Sequence, residues 1–200
     1  MGTYVAFIRC PPDGPLAQIV THIEGYRAYY VGVFAADGDP AVLELIDAVA
    51  ERGVDALTGL TPTSYPVVDR WVSEFYGFYC DSSAAPPLPT VKTSMLHLRR
   101  YRQLHEEIAG QLTAEVSALW RYIYIGRPVA PASRAVDYIS DDDASWVAWW
   151  SLAEVRLLRQ SLPSSAAFGQ EDMTETVLAA MHVALKAAED SGCGLVVTAF

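Results

Sequence analysis

His97, Tyr101 and His105 recur every four residues, and on a helix that spacing puts two imidazoles and a phenol on one face. Such a trio suits acid–base or ligand-binding chemistry, since histidine changes charge near neutral pH. It does not suit a metal centre, because a rise of about 1.5 Å per residue sets the imidazoles roughly 12 Å apart. Asp141, Asp142 and Asp143 follow Asp137 in a compact anionic cluster of the kind that holds a hard cation or a basic ligand. They lack the alternating aspartates, glycine and distant glutamate of a calcium loop, so a solvated turn is the expectation. His22 and His182 stand alone, and no metal or other cofactor is expected.

Aromatic side chains are the second resource. Eleven tyrosines and five tryptophans concentrate in YRAYY, RWVSEFYGFY, WRYIYI and WVAWW. Tyr and Trp can pack one face while offering a hydrogen-bonding edge to a partner or a small molecule, although a core should take most of them. Trp149 and Trp150 are adjacent, so in a strand they point to opposite faces and one of them is a surface candidate. Tyr76 and Tyr79, off the apolar stripe of Val67, Trp71, Phe75 and Phe78, are two more. Ser82-Ser83 and Ser164-Ser165 lack the Gly-x-Ser-x-Gly elbow of a serine nucleophile, and Gly192-Cys193-Gly194 lacks the spacing and lysine of a phosphate loop.

These residues need elements to hold them. Thr3 to Arg9 reads as a strand stopped by Pro11-Pro12-Asp13-Gly14, and residues 26 to 34 read as a second strand. Asp39 then caps a helix with Pro40 at its first position, an apolar face of Val42, Leu45, Ile46 and Val49, and a stop at Gly53. The aromatic stripe from Val67 predicts a helix to about Tyr79. Residues 81 to 90 are a proline-rich surface loop or a linker between two subregions. Helical spacing from Thr93 to Trp120 predicts the longest helix, and LWRYIYI at 119 to 125 tips toward a strand. Ser145 to Trp150 reads as a strand, Ser151 and Glu154 form a capping box for a helix to about Leu162, and residues 171 to 190 form another helix. The chain finishes with the buried-strand run GLVVTAF. The expectation is a single α+β domain, several helices packed on a small mixed or antiparallel sheet.

SWVAWWSLAEVRLLRQSLP, the helix LAAMHVALKAAEDSG and the strand GLVVTAF together resemble the C-terminal part of the YfbM-like family of uncharacterised bacterial proteins. The likeness covers the last third of the chain. It implies a capped helix, a long Ala-rich helix and a Gly-led terminal strand, and it brings no activity or catalytic residues.

The chain's charge narrows the function classes. A net charge of −10 leaves nucleic-acid binding without an electrostatic footprint and favours a basic partner. Only Lys92 and Lys186 are lysines among fourteen cationic residues, a skew typical of GC-rich bacterial coding. Cys10, Cys80 and Cys193 are too few and too scattered for a disulfide framework, no apolar run spans a membrane, and the N-terminus does not read as a signal peptide, so the cytoplasm is the expected address. The leading expectation is a bacterial protein-binding module, an immunity-type or regulatory partner of a basic protein, with homo-oligomer formation left open. The alternative is an enzyme or small-molecule binder of specialised metabolism whose aromatic-lined pocket would gather His97, Tyr101, His105, Arg99 or Asp143.

Overall fold

The computed structural model describes residues 4–34, 38–60, 65–79, 96–129, 146–163 and 173–199. At its centre β1 (Tyr4–Cys10) and β4 (Gly194–Ala199) run antiparallel, with Phe7 opposite Val197 and Ile8 opposite Val196. β2 (Leu96–His97) extends the sheet beyond β1 and β3 (Trp146–Trp150) beyond β4, giving the antiparallel order β2-β1-β4-β3. Side chains alternate across each strand. Ile8, Cys10, Val147 and Val196 face one helical layer, while Val5, Phe7, Ala148, Trp150, Leu195 and Val197 face another. Burial on both faces explains why β1 and β4 are apolar at nearly every position instead of at alternate ones.

The first layer holds α1 (Leu16–Thr21), α2 (Ile23–Phe34), α3 (Pro40–Arg52) and α4 (Tyr65–Glu74), the last running into a π-helical turn at Phe75–Tyr79. The second holds α5 (Leu98–Ile108), α6 (Ala114–Ile125), α7 (Leu152–Ser161) and α8 (Met173–Asp190). The result is the expected α+β domain, its antiparallel sheet sandwiched between two helical layers. Among the described residues no helix is long and apolar enough to cross a membrane.

Capping chemistry sets several boundaries. The Asp39 carboxylate accepts from the Ala41 amide at the start of α3, and Ser151 and Glu154 form both halves of the capping box on α7. Three expectations change. Residues 26 to 34 belong to α2 and form no strand, because Ile23, Tyr26 and Tyr30 at spacings of three and four bury a common face that outweighs their β propensity. LWRYIYI is helical for the same reason, with Val116, Leu119, Trp120 and Ile123 all buried on α6. The expected long helix is two: a 3-10 turn at Ala109–Gln111 ends α5, and Thr113 accepts from the Val116 amide to cap α6. The segment 81 to 90 lies outside the described residues.

Candidate functional site

Leu98 is the first residue of α5, so His97 lies before the helix, in β2, exposed and packed at a tilt against Tyr4 at 4.3 Å between ring centroids. It therefore leaves the expected trio. Tyr101 and His105 do share the buried face of α5. Tyr101 packs edge-on against Phe7, and its hydroxyl is buried without a hydrogen-bond partner among the described residues. Burial pushes that phenol well above its usual range.

His105 is the polar centre of this layer. Its Nδ1 lies 2.7 Å from the Tyr124 hydroxyl and its Nε2 2.8 Å from Ser117 Oγ, while the ring stacks on Trp120. Burial, then the nearby Arg121 charge, hold its pKa below the ordinary value and favour the neutral imidazole. A neutral ring has one donor and one acceptor nitrogen, and hydroxyls on both sides satisfy either tautomer. Serine beside a neutral histidine has the first two parts of a nucleophilic pair. The Ser117 amide, however, donates to Thr113 O at 2.9 Å inside α6, and helical bonding of its neighbours leaves no converging amide pair for an oxyanion there. What this arrangement does is fasten α5 to α6.

Both candidate tryptophans are covered. Trp150 is buried, its indole donating to Leu119 O at 3.0 Å. Trp149 faces the other layer, as the strand geometry requires, and is half-buried between two neighbours. On one side Gly14, at φ +115°, lies so close that a Cβ there would sit 2.8 Å from the ring. On the other, the Arg127 guanidinium stands 4.0 Å from the ring centroid and donates to the Glu154 carboxylate and to Trp149 O. Neither indole is a free surface aromatic.

Tyr76 and Tyr79 are also interior, contrary to their expected place on the surface. The π turn adds a residue to the helical repeat, rotating Tyr76 inward to Gln18 Oε1 at 3.0 Å and turning Phe78 outward to 55% exposure. Tyr79 packs against α2, where its hydroxyl occupies the space a side chain at Gly25 would need. Asp141, Asp142 and Asp143 lie outside the described residues. Among the described residues, no three His, Cys, Asp or Glu groups come together as metal ligands.

The surface that stands out is one the strand reading of 26 to 34 concealed. From Ala28 to Phe34 α2 carries no charged residue, and Ala28, Val31 and Gly32 face outward, Val31 at 40% exposure, while exposed Val33 lies on the opposite flank from Val31. The Phe34 and Phe78 rings meet edge-on at 6.5 Å at its end. Beside it, α3 turns Glu44, Asp47 and Glu51 outward at helical spacing, with Asp55 following in the next turn. Arg27 on α2 pairs with Asp47 on α3 at 2.5 Å, joining the two outer faces. Glu24, Glu44, Glu51 and Asp55 have no ion pair among the described residues. Valines and small residues at 28, 31 and 32 were the available signal; a helical reading of Ile23, Tyr26 and Tyr30 would have placed them outside.

Beneath this face the layer is pinned by polar contacts. Tyr30 accepts from the Asp39 amide at 3.0 Å, and Arg70 pairs with the Asp39 carboxylate at 2.6 Å. Burial raises the Glu74 carboxyl above its ordinary value, with Arg70 partly offsetting the shift, and Tyr26 donates to it at 3.4 Å. The outer face thus rests on a fixed frame.

Comparison of the chain with protein-family models, with curated proteins and with solved structures finds no match.

Proposed function

We propose that this chain is a protein-recognition module, an acidic immunity-type or regulatory protein of the bacterial cytoplasm, whose partner binds the outer face of α2 and α3. The observation that carries this reading is the pairing of exposed Ala28 and Val31 on α2 with an acidic ridge one helix away. Exposed apolar side chains rimmed by charge are what a partner surface requires: burial supplies affinity, and the charges set orientation and encounter rate. The net charge of −10 favours a basic partner. Membership of the YfbM-like family, proposed from the last third of the chain, supplies no activity and is not needed for this reading.

A photo-cross-linking residue at Val31 tests it in the native host. Val183, also apolar and exposed, on α8 in the opposite layer, is the control. A discrete protein adduct from position 31 and none from 183 is expected. Equal labelling from both positions, or none from 31, would overturn the assignment of the face.

A further inference from the structure

We infer that the segment seated on this face is a basic amphipathic α-helix of the partner, an inference that rests on the recognition reading above. α2 and α3 pack side by side, and neighbouring helix axes lie about 8–10 Å apart. The outer face therefore consists of two lines at roughly one helix width. One is apolar, running through Ala28, Val31 and Gly32; the other is acidic, running through Glu44, Asp47 and Glu51. A helix lying over α2 would bury its apolar stripe on the first line and set one flank against the second.

The acidic line advances by three residues and then four. Over about 10 Å of α3 axis it presents carboxylates once per turn, the middle one, Asp47, shared with Arg27 across an exposed ion pair. The complementary flank is a run of arginines or lysines at the same three-and-four spacing, since such residues share one side of a helix. Close approach is open, because a Cβ built at Gly32 meets nothing within 4 Å. A second copy of this chain fits less well, since its own acidic ridge would repel this one. An extended strand also fits poorly, because the face offers helix side chains and no unpaired sheet edge.

The test uses the full chain and an 18-residue Ala/Leu peptide with one apolar face and three arginines on one flank at that spacing. Its partner peptide carries glutamates at the same positions. Fluorescence anisotropy should show saturable binding of the arginine peptide and none of the glutamate peptide. Circular dichroism should show the bound peptide gaining helix.

Two variants separate docking from general attraction between opposite charges. Charge reversal at Glu44→Lys with Glu51→Lys should weaken binding at least tenfold. Val31→Asp makes the protein more acidic, so attraction alone predicts tighter binding, whereas docking predicts binding weaker by about tenfold; all three residues are exposed, so neither variant threatens the core. Tighter binding by Val31→Asp, or no arginine-peptide binding, would overturn the basic-helix inference. A discrete adduct at Val31 alongside no peptide binding would leave a protein partner of another shape; failure of both experiments would remove the recognition reading as well.

Discussion

The guanidinium of Arg127 lies 4.0 Å from the Trp149 ring centroid while its Nη1 donates to both oxygens of the half-buried Glu154 carboxylate. Glu154 also accepts from the Ser151 amide at 2.7 Å in the capping box of α7. One cation therefore holds the residues after α6, the β3 backbone and the first turn of α7 together. Arg127→Ala should lower unfolding free energy by about 2–3 kcal/mol, the sum of a desolvated cation–π contact and a charge-assisted hydrogen bond. Arg127→Lys should recover less than half, because an ammonium can reach the Glu154 carboxylate but lacks the planar guanidinium that covers the Trp149 ring. Urea unfolding of the three proteins measures this, and a lysine variant as stable as wild type would refute the contribution of the ring contact.

Tyr101→Phe should be neutral or raise stability by about 1 kcal/mol, because it removes a buried hydroxyl that no partner among the described residues satisfies. Thermal unfolding is the measurement. A loss of more than about 1 kcal/mol would show that the hydroxyl has an essential bond.

Gly25→Ala should be destabilising although alanine is the better helix former, since the new methyl enters the space of the Tyr79 hydroxyl. The expected cost is about 1–3 kcal/mol. Adding Tyr79→Phe should recover part of it; a double variant no better than the single would place the conflict elsewhere.

Two buried titrations should oppose each other. His105 has a folded pKa below its ordinary 6.5. The unfolded chain therefore takes up that proton first, and stability falls as pH drops from about 6.5 through the folded value. Relative to His105→Gln, which cannot titrate there, wild type should lose stability between pH 7.5 and 5. Glu74 has a folded pKa above its ordinary 4.5. Its charged form is penalised in the native state, so stability falls as pH rises from 4.5 through the folded value. Relative to Glu74→Gln, wild type should gain as pH falls from 7 to 4.5. Chemical unfolding across pH separates the two; flat differences would mean that neither site is desolvated.

Much of the fold was legible because certain residues carry local instructions. Asp39 before Pro40, Gly53 after Arg52, and Ser151 three before Glu154 fix helix ends whatever packs against them. β1 and β4 announce themselves by continuous apolar runs. The strand reading of 26 to 34 went astray because tyrosine and valine favour strands, whereas the deciding contacts of Tyr26 with Phe75 and Tyr79 are made across α4 and its π turn. The same turn hid the exposure of Phe78, since a constant 3.6-residue repeat would have buried it. Of the site candidates, Tyr101 and His105 were placed together because they share a helix, but Ser117 and Tyr124 reach His105 only after a chain reversal that no spacing in the sequence marks. The capacity of Trp149 to be covered depended likewise on Arg127, on the far side of an intervening segment.

The position of β4 has a consequence for how the molecule comes into being. Cys10 finds its partner Gly194 only after the long intervening stretch of chain has been made, and both helical layers close on a sheet whose inner strand β4 follows every other described element in the sequence. At ordinary translation rates β1 waits roughly 10–40 s for that neighbour. During that interval its apolar flanks and backbone edge are open to other chains. Newly made copies should depend on shielding by a chaperone until synthesis reaches Ala199, and shortening the C-terminal strand should trap them with two unsealed halves instead of one folded half and one unfolded half.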